Sequence, residues 1–280
     1  MGGHVDLTTI REIIFPDHHD GGIEWGEGDA WLAGGTWLFS EPQPHLRRLI
    51  DLRAFGWAPL TITEQGLEIA ATCEVVKLDA LKTPPEWNAG SLIRQCCRSL
   101  LASFKIWNTA TVGGNICMSL PAGALISLAT ALEGVCTIIS RDGRHRQVPI
   151  EDFVTGNHQN VLRNGDLLRR IDLPATALQK RAAFRRMSLT QFGRSAALLI
   201  GTLCPREDVF MLTVTAATSR PLRFSFSGLP GVNELRSRLE HAVPDSLWFD
   251  DVHGSWEYKR HLTFHYAEEI RHELAGEARS

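Results

Sequence analysis

Two short runs of the same type constrain this chain more than any other part of its sequence. Each places a Gly-Gly pair between apolar residues and a small polar residue: Trp31-Leu32-Ala33-Gly34-Gly35-Thr36-Trp37 and Ala110-Thr111-Val112-Gly113-Gly114-Asn115-Ile116. Paired glycines let the backbone adopt positive φ and bring N–H groups against a ligand. Successive N–H groups in that geometry form a concavity that suits a pyrophosphate. A tight turn explains a single pair equally well, but two such runs predict two loops that close on one ligand.

Length and charge limit the classes of protein that this chain can be. Its 280 residues are enough for two domains and a sizeable core. The hydrophobic content of 44% and the charged content of 22% are those of an ordinary globular protein. A net charge of −3 lacks the basic footprint of a nucleic-acid-binding protein. We therefore predict no nucleic-acid partner.

Targeting and metal-binding signals are missing from the sequence. The N-terminus has no charged region followed by an apolar one, so no signal peptide is expected. The longest apolar stretch, residues 120–139, contains Pro121, Gly123 and Glu133, which predicts a buried helix followed by a strand and no membrane span. The six cysteines form no C-x-x-C pair, which favours reduced thiols over zinc or disulfides. We predict a cytoplasmic protein. We also predict no metal site, because neither the adjacent His18 and His19 nor the pair His261 and His265 is expected to bind a metal ion.

Local patterns predict an alternation of strands and helices. Residues 29–33 and 46–52 are predicted as buried strands, so the first Gly-Gly lies at a strand's end, where ligands bind in open α/β sheets. Hairpins are predicted at 60–70 and, around Asp142-Gly143, at 135–150. Helices are predicted at 8–15, 74–81, 88–104, 122–132 and from about residue 258. A further strand is predicted at 209–217.

Several segments match, in order, the motifs of one known family. They are the Ala-Gly-Gly-Thr of residues 33–36, the Leu-Ile-Asp-Leu of 49–52, the Ile-Ala-Ala-Thr of 69–72, the Ala-Thr-Val-Gly-Gly-Asn-Ile of 110–116, and the Gly-Asp-Leu-Leu of 165–168 with the Ile-Asp-Leu-Pro of 171–174. In these motifs the chain resembles the FAD-binding medium subunit of molybdenum hydroxylases, the xanthine dehydrogenase and carbon monoxide dehydrogenase group. The ordered set is far more specific than any single motif.

The resemblance implies an α+β architecture. Residues 1–176 are expected to form a PCMH-type FAD-binding fold, with a small α/β subdomain to about residue 57 and a subdomain of mixed β-sheet and helices at 58–176. Residues 177–280 are expected to form a C-terminal α+β domain, an antiparallel sheet with helices. The implied function is that of the FAD-carrying electron-transfer subunit of a heterotrimer. The implied partners are a large molybdopterin subunit, a small [2Fe–2S] subunit and an external electron acceptor.

The resemblance also implies which residues hold the cofactor. From the first run these are Leu32, Ala33, Gly34, Gly35, Thr36, Trp37 and Leu38, with the backbone of 33–36 on the FAD pyrophosphate; from the second run they are Thr111, Gly113, Gly114 and Asn115; and Leu168 is expected near the isoalloxazine or the adenine. Arg185 is either a cation near the flavin or a member of a surface ion pair. The sequence has no recognisable nucleophile or acid–base pair, so no catalytic residue is predicted, and the difficult chemistry belongs to the cofactor.

The chain departs from the family pattern at two positions. Relatives have Ser, Thr or Asp where this chain has Trp37, and they have an acid shortly after the second run, where Pro121 to Ala124 contain none. A lost charge-assisted hydrogen bond weakens binding by roughly 1.5–3 kcal/mol. The two departures keep open the alternative of a flavin-free scaffold subunit. A stand-alone flavin oxidoreductase of the same fold is the other alternative, and the lack of an acid–base pair argues against it. The cysteine spacing predicts no iron–sulfur cluster in this chain. The organic substrate and the acceptor (NAD, oxygen, quinone or carrier protein) are left open.

Overall fold

A small parallel sheet forms the N-terminal part of the chain. The structure, a computed structural model, describes residues 7–16, 23–100, 102–190, 193–204 and 206–276; His18 and His19 lie outside them. The strands are β1 (Glu12–Ile14), β2 (Asp29–Leu32) and β3 (Arg48–Asp51). They pair in the order β1-β3-β2, and both pairings are parallel. The first Gly-Gly run therefore begins where β2 ends, as predicted.

The helix predicted for residues 8–15 was wrong, because residues 12–14 form β1. Glu12, Ile13 and Ile14 pair with the first residues of β3 in parallel register. A helix this short is marginal in isolation, so pairing with a strand from a distant part of the sequence decides the conformation. On the other side of β3, Arg48 donates hydrogen bonds to Asp29 of β2. These hydrogen bonds hold the pKa of the Asp29 carboxyl below its ordinary value.

A larger antiparallel sheet and a set of short helices follow. In chain order the elements are β4 (Leu60–Thr63), β5 (Gly66–Ala70), α1 (Val75–Asp79), α2 (Ser91–Ser99), α3 (Phe104–Trp107), α4 (Val112–Cys117), α5 (Ala124–Ala131), β6 (Val135–Ile139), β7 (His145–Pro149), α6 (Ile150–Phe153), β8 (Val154–Gly156), β9 (Gln159–Asn160), β10 (Leu167–Pro174) and α7 (Ala175–Leu178). The sheet order is β4-β5-β10-β6-β7, with antiparallel pairing throughout. Both predicted hairpins are confirmed.

The helix predicted at 88–104 is divided in the structure. Residues 88–90 form a 3₁₀ turn, α2 ends at Ser99, and α3 begins at Phe104. Leu100 is extended, and the Ser103 hydroxyl accepts a hydrogen bond from the N–H of Ile106 at 3.5 Å. A serine N-cap of this kind begins a new helix. The apolar spacing of the segment carried no sign of this break.

The C-terminal part is an antiparallel sheet with two long helices. Its elements are β11 (Arg181–Met187), β12 (Ala197–Cys204), β13 (Val209–Thr215), β14 (Leu222–Ser227), α8 (Val232–Ala242) and α9 (Trp256–Gly276). The strands pair in sequence order. Helix α9 packs closely against β12, where a Cβ on Gly201 would lie 2.2 Å from Ile270 Cγ2. The close approach of helix to strand thus depends on glycine at position 201.

Helix α5 joins the larger sheet to the C-terminal one. All eight of its residues are buried, as expected for a helix that is apolar all round. Leu198 and Ile200 of β12 share its core, and the hydroxyls of Ser127 and Thr215 are hydrogen-bonded at 2.6 Å. Strand β12 is therefore covered by α5 on one face and by α9 on the other, which accounts for its continuous apolar sequence.

These elements confirm the α+β class predicted from the sequence, with one parallel sheet and antiparallel sheets among the described residues. No helix within the described ranges combines the length and apolar composition needed to cross a bilayer.

Candidate cofactor site

The two Gly-Gly runs face each other across a cavity of about 530 Å³. Predicted site residues that line it are Ala33, Gly34, Gly35, Thr36, Trp37, Leu38, Thr111, Gly113, Gly114, Asn115 and Leu168. A volume of this size lies within the roughly 300–1,000 Å³ of typical ligand sites. Residues of both runs therefore line one cavity, and that they close on one ligand stays a prediction.

The runs are brought together by glycines without room for a side chain. A Cβ on Gly34 would lie 1.9 Å from the carbonyl oxygen of Thr109, the residue just before the second run. A Cβ on Gly113 would lie 2.5 Å from Cβ of Ala71. Only glycine permits backbones to approach this closely. Gly34 thus holds the first run against Thr109, and Gly113 holds the second run against Ala71.

The first run carries backbone N–H groups without a described acceptor on residues that line the cavity. Gly35 has φ of +71°, and the run continues as a turn without helix. Among the described residues, no acceptor receives a hydrogen bond from the N–H groups of residues 34–38. Such a series of unpaired N–H groups is suited to an anionic oxygen.

The second run differs from the prediction, because its glycines are helical. Gly113 and Gly114 lie in α4, and neither has positive φ. The helix begins here because the Thr111 hydroxyl accepts a hydrogen bond from the N–H of Gly114 at 3.1 Å. The N–H of Gly113 donates to the carbonyl of Ala71 at 3.0 Å. The second run thus forms a cavity wall without side chains at Gly113 and Gly114, whose N–H groups donate to acceptors within the protein.

Asn115 connects this wall to the next helix. Its Oδ1 accepts a hydrogen bond from the N–H of Leu125, in the first turn of α5, at 3.4 Å. The contact fixes α4 relative to α5. Asn115 therefore has a structural partner in addition to its place on the cavity wall.

A third wall, formed by residues 160–168, was largely missed by the sequence analysis. Asn160, Leu162, Arg163, Asn164, Gly165, Asp166 and Leu167 line the cavity there, next to the predicted Leu168. The Gly165-Asp166-Leu167-Leu168 motif was a signal for the end of this segment. No periodicity or spacing pointed to its beginning, since contacts with distant residues place it.

Two tryptophans form an apolar end of the cavity and hold the third wall. The rings of Trp25 and Trp31 lie 4.9 Å apart, tilted by 40°, and both line the cavity. Trp25 Nε1 donates to Asn164 Oδ1 at 2.9 Å, and Trp31 Nε1 donates to the carbonyl of Asp166 at 3.0 Å. The N-terminal sheet is thereby attached to the loop that follows β9.

Two predicted site residues do not line the cavity. Leu32 is buried beneath the first run with Leu46 and Leu49. Arg185 lies on β11, where its guanidinium pairs with Glu269 at 2.5 Å and with Glu273 at 2.7 Å, both on α9. The geometry matches the ion-pair interpretation of Arg185, which fastens β11 to α9. The predicted place of Arg185 near the cofactor is not the one that the structure gives it.

The cavity contains little charge. The described charged residues that line it are Arg163 and Asp166, and the Asp166 carboxylate accepts a hydrogen bond from Arg146 at 2.9 Å. Cys117 also faces the cavity, and burial raises the pKa of its thiol to about 12, so the thiol stays uncharged at neutral pH. Within the described ranges, no group of His, Cys, Asp and Glu is placed to hold a metal ion.

Comparison with known sequences gives a family and several relatives. The sequence pattern of the FAD binding domain in molybdopterin dehydrogenase matches residues 24–176, more than half of the chain. The caffeine dehydrogenase subunit beta of Pseudomonas sp. (strain CBB1) is 29% identical over 129 residues, 44% of this chain and 43% of that protein. The carbon monoxide dehydrogenase medium chain of Hydrogenophaga pseudoflava is 27% identical over 156 residues, 52% of this chain and 51% of that one. The chain spans about half the length of these curated relatives.

Comparison with solved structures extends the likeness to nearly the whole fold. A chain of carbon monoxide dehydrogenase from Hydrogenophaga pseudoflava superposes with a TM-score of 0.72 and 18% identity, covering 88% of each chain. At this identity the match shows a shared fold.

Proposed function

The chain belongs to the family of FAD-binding domains in molybdopterin dehydrogenases, and from this membership we propose that it is the FAD-carrying electron-transfer subunit of a heterotrimeric molybdenum hydroxylase. The family predicted from the ordered motifs is thereby confirmed, and with it FAD as the cofactor and an oxidoreductase class. The finer statements, on partners, electron path and individual site residues, are proposals. The observation that carries them is the cavity enclosed by both Gly-Gly runs within the matched segment.

The residues of the cavity fit FAD. The unpaired N–H groups of residues 34–38 suit the pyrophosphate. The apolar end formed by Trp25, Trp31 and Leu52 suits a flat ring system. A Cβ on Gly34 would clash with the backbone of Thr109, so the first run lies directly against the residue that precedes the second run. We assign cofactor binding to the lining residues of both runs and to Leu168.

The chain's own residues bind and orient the cofactor and exclude water from it. FAD, when bound, supplies reversible uptake and release of electrons. Thr111 and Asn115 fix the second wall through the N–H groups of Gly114 and Leu125. The described cavity walls carry no acid–base pair, since Asp166 is engaged by Arg146 and the Cys117 thiol is uncharged. This supports an electron-transfer role over that of a stand-alone flavin oxidoreductase.

We propose that the partners are a large molybdopterin subunit and a small [2Fe–2S] subunit, with electrons leaving to an external acceptor. Support comes from four apolar side chains, on residues 37–39 and on α3, which we call the mouth patch: Trp37, Phe39, Phe104 and Ile106. Trp37 and Ile106 line the cavity, and Phe104, on the same short helix as Ile106, is 84% exposed. Exposed apolar side chains of this size, where they lie together, mark protein contacts. The complex is proposed to be cytoplasmic.

We also propose the domain division given by the resemblance, with residues 1–176 as the FAD-binding domain and 177–280 as the C-terminal domain. The matched family segment ends at residue 176, and most of the core around α9 comes from later residues. Within the first domain, the parallel sheet of β1 to β3 supports a subdomain to about residue 57, followed by a second at 58–176.

A visible absorption spectrum of the purified chain tests the proposed function. We expect flavin bands in the protein as purified, or after incubation with FAD and removal of free cofactor. A protein without flavin bands after that incubation is the scaffold alternative. A flavoprotein that purifies alone and oxidises an organic substrate with its own flavin is the stand-alone alternative. Co-purification with molybdopterin and iron–sulfur subunits supports the proposal.

The partner proposal predicts the effect of a charge in the mouth patch. Phe104→Asp should leave the thermal midpoint and FAD content of the isolated chain unchanged, because the side chain is solvent-exposed. The same substitution should strongly reduce recovery of the other subunits in co-purification, since a buried unpaired carboxylate opposes association. Val252→Asp is the matched control, because Val252 is 88% exposed and does not line the cavity. Equal recovery with both variants would remove the mouth patch from the interface.

A further inference from the structure

Arg163 is the one cation among the described residues that line the cavity. No described acceptor receives a hydrogen bond from its guanidinium, and no described carboxylate pairs with it. The other charged residue of the wall, Asp166, is already neutralised by Arg146. The cavity therefore contains one uncompensated positive charge.

The loop that carries Arg163 is held in place without using its side chain. Asp166 Oδ2 accepts hydrogen bonds from the N–H of Arg163 at 3.1 Å and from Arg146 at 2.9 Å. Arg146 also donates to the carbonyl of Val161 at 2.9 Å. Together with the bonds from Trp25 and Trp31, these contacts fix the loop at both ends. The Arg163 backbone is thus positioned, and its guanidinium stays available to a ligand.

Arg163 also lies beside a second cleft, whose lining is rich in basic residues. There the cavity borders a cleft lined by Arg141, Arg144, His145 and Arg146, against the carboxylates of Asp142 and Asp166. Arg144 pairs with Asp142, and Arg141 donates to the carbonyl of Trp25 at 2.9 Å. Arg163 is shared between cavity and cleft. A positive surface of this kind attracts the phosphate-bearing part of a ligand.

We propose that Arg163 binds the pyrophosphate of FAD, opposite the N–H groups of residues 34–38. The inference rests on the proposed function, because it takes FAD as the occupant. The pyrophosphate carries the permanent negative charges of FAD, and a guanidinium offers paired donors that match phosphate oxygens. Arg163 then supplies the charge-assisted bond that Trp37 lacks.

The test measures the dissociation constants of FAD and of riboflavin, which has no phosphate, by fluorescence titration of the flavin-free chain. Arg163→Gln should weaken FAD binding roughly 10-fold and leave riboflavin binding unchanged. Added salt should weaken FAD binding less in this variant than in the wild type. Arg163→Lys should recover part of the loss. Arg94→Gln is the control, because Arg94 is an exposed residue of α2 outside the cavity.

The outcomes separate this inference from the proposed function. A wild-type chain that binds neither flavin overturns the proposed function and the inference with it. A wild-type chain that binds FAD, with Arg163→Gln unchanged, overturns the inference alone. An equal loss for FAD and riboflavin also overturns it, since the contact would then be with the ring system. The unfolding midpoint of the flavin-free variant should equal that of the wild type, because the guanidinium has no described partner to lose.

Discussion

Gly34→Ala is expected to abolish FAD retention and to destabilise the chain. The new Cβ would lie 1.9 Å from the carbonyl oxygen of Thr109, a distance that forces the first run and the segment before α4 apart. Overpacking of this kind costs about 1–3 kcal/mol of unfolding free energy, and the separated walls no longer match the cofactor. Urea unfolding and the flavin content of the purified protein measure the two effects. Gly231→Ala is the control, since nothing lies within 4 Å of its Cβ position. A Gly34→Ala protein with wild-type flavin content would contradict the proposed closure.

A companion substitution separates loss of cofactor from loss of fold. A Cβ on Gly114 meets only the Thr111 hydroxyl, at 3.0 Å, and Gly114 lines the cavity. Gly114→Val is therefore expected to fill the space of the cofactor while the unfolding midpoint falls less than for Gly34→Ala. Unchanged flavin occupancy in this variant would remove Gly114 from the site.

The second large effect is expected at a fully buried lysine that does not line the cavity. Lys259 on α9 has no solvent exposure; its ammonium donates to Asp251 at 2.8 Å and lies 5.1 Å from the centre of the Phe249 ring. Asp251→Asn removes the charge that compensates this ammonium. Removing one partner of a buried ion pair lowers the free energy of unfolding by roughly 3–5 kcal/mol. Because Asp251 is partly exposed, we expect Asp251→Asn to lower the free energy of unfolding by about 3 kcal/mol, the lower end of this range.

Urea unfolding of matched variants checks this result. Asp250→Asn changes the neighbouring exposed carboxylate and should leave the midpoint unchanged. Lys259→Met removes the buried charge and keeps the volume, so the double variant Asp251→Asn with Lys259→Met should be more stable than Asp251→Asn alone. Equal midpoints for Asp251→Asn and Asp250→Asn would show that the ammonium does not depend on Asp251.

The sequence predicted those parts of the fold that short-range patterns determine. The hairpins β4–β5 and β6–β7 follow from turn residues between apolar runs, and the first run was correctly placed at the end of β2. Strand β1 could not be predicted, because its partner β3 is distant in the chain. The sequence also did not predict that Gly113 and Gly114 are helical. Glycine pairs are typical of turns, but here the Thr111 side chain caps a helix that includes both glycines.

Of the residues that line the cavity, the sequence predicted mainly those that belong to or adjoin the family motifs. Both runs and Leu168 line one cavity. The loop that carries Arg163 was missed because hydrogen bonds from Trp25, Trp31 and Arg146 hold it, and nothing local in the sequence reveals such contacts. Arg185 was placed by analogy, and the acidic residues of α9 give it a different set of partners.

The complete burial of α5 limits how this protein can be divided into fragments. One side of the helix packs against α2 and α4 and another against β12 and β13, with Ser127 bonded to Thr215 across the second contact. A truncation after residue 176 would expose this second side to water as an apolar surface. Such a fragment would carry every described residue that lines the cavity and would lack the strands that cover α5. Expression trials of the flavin-binding portion alone should therefore retain the C-terminal sheet.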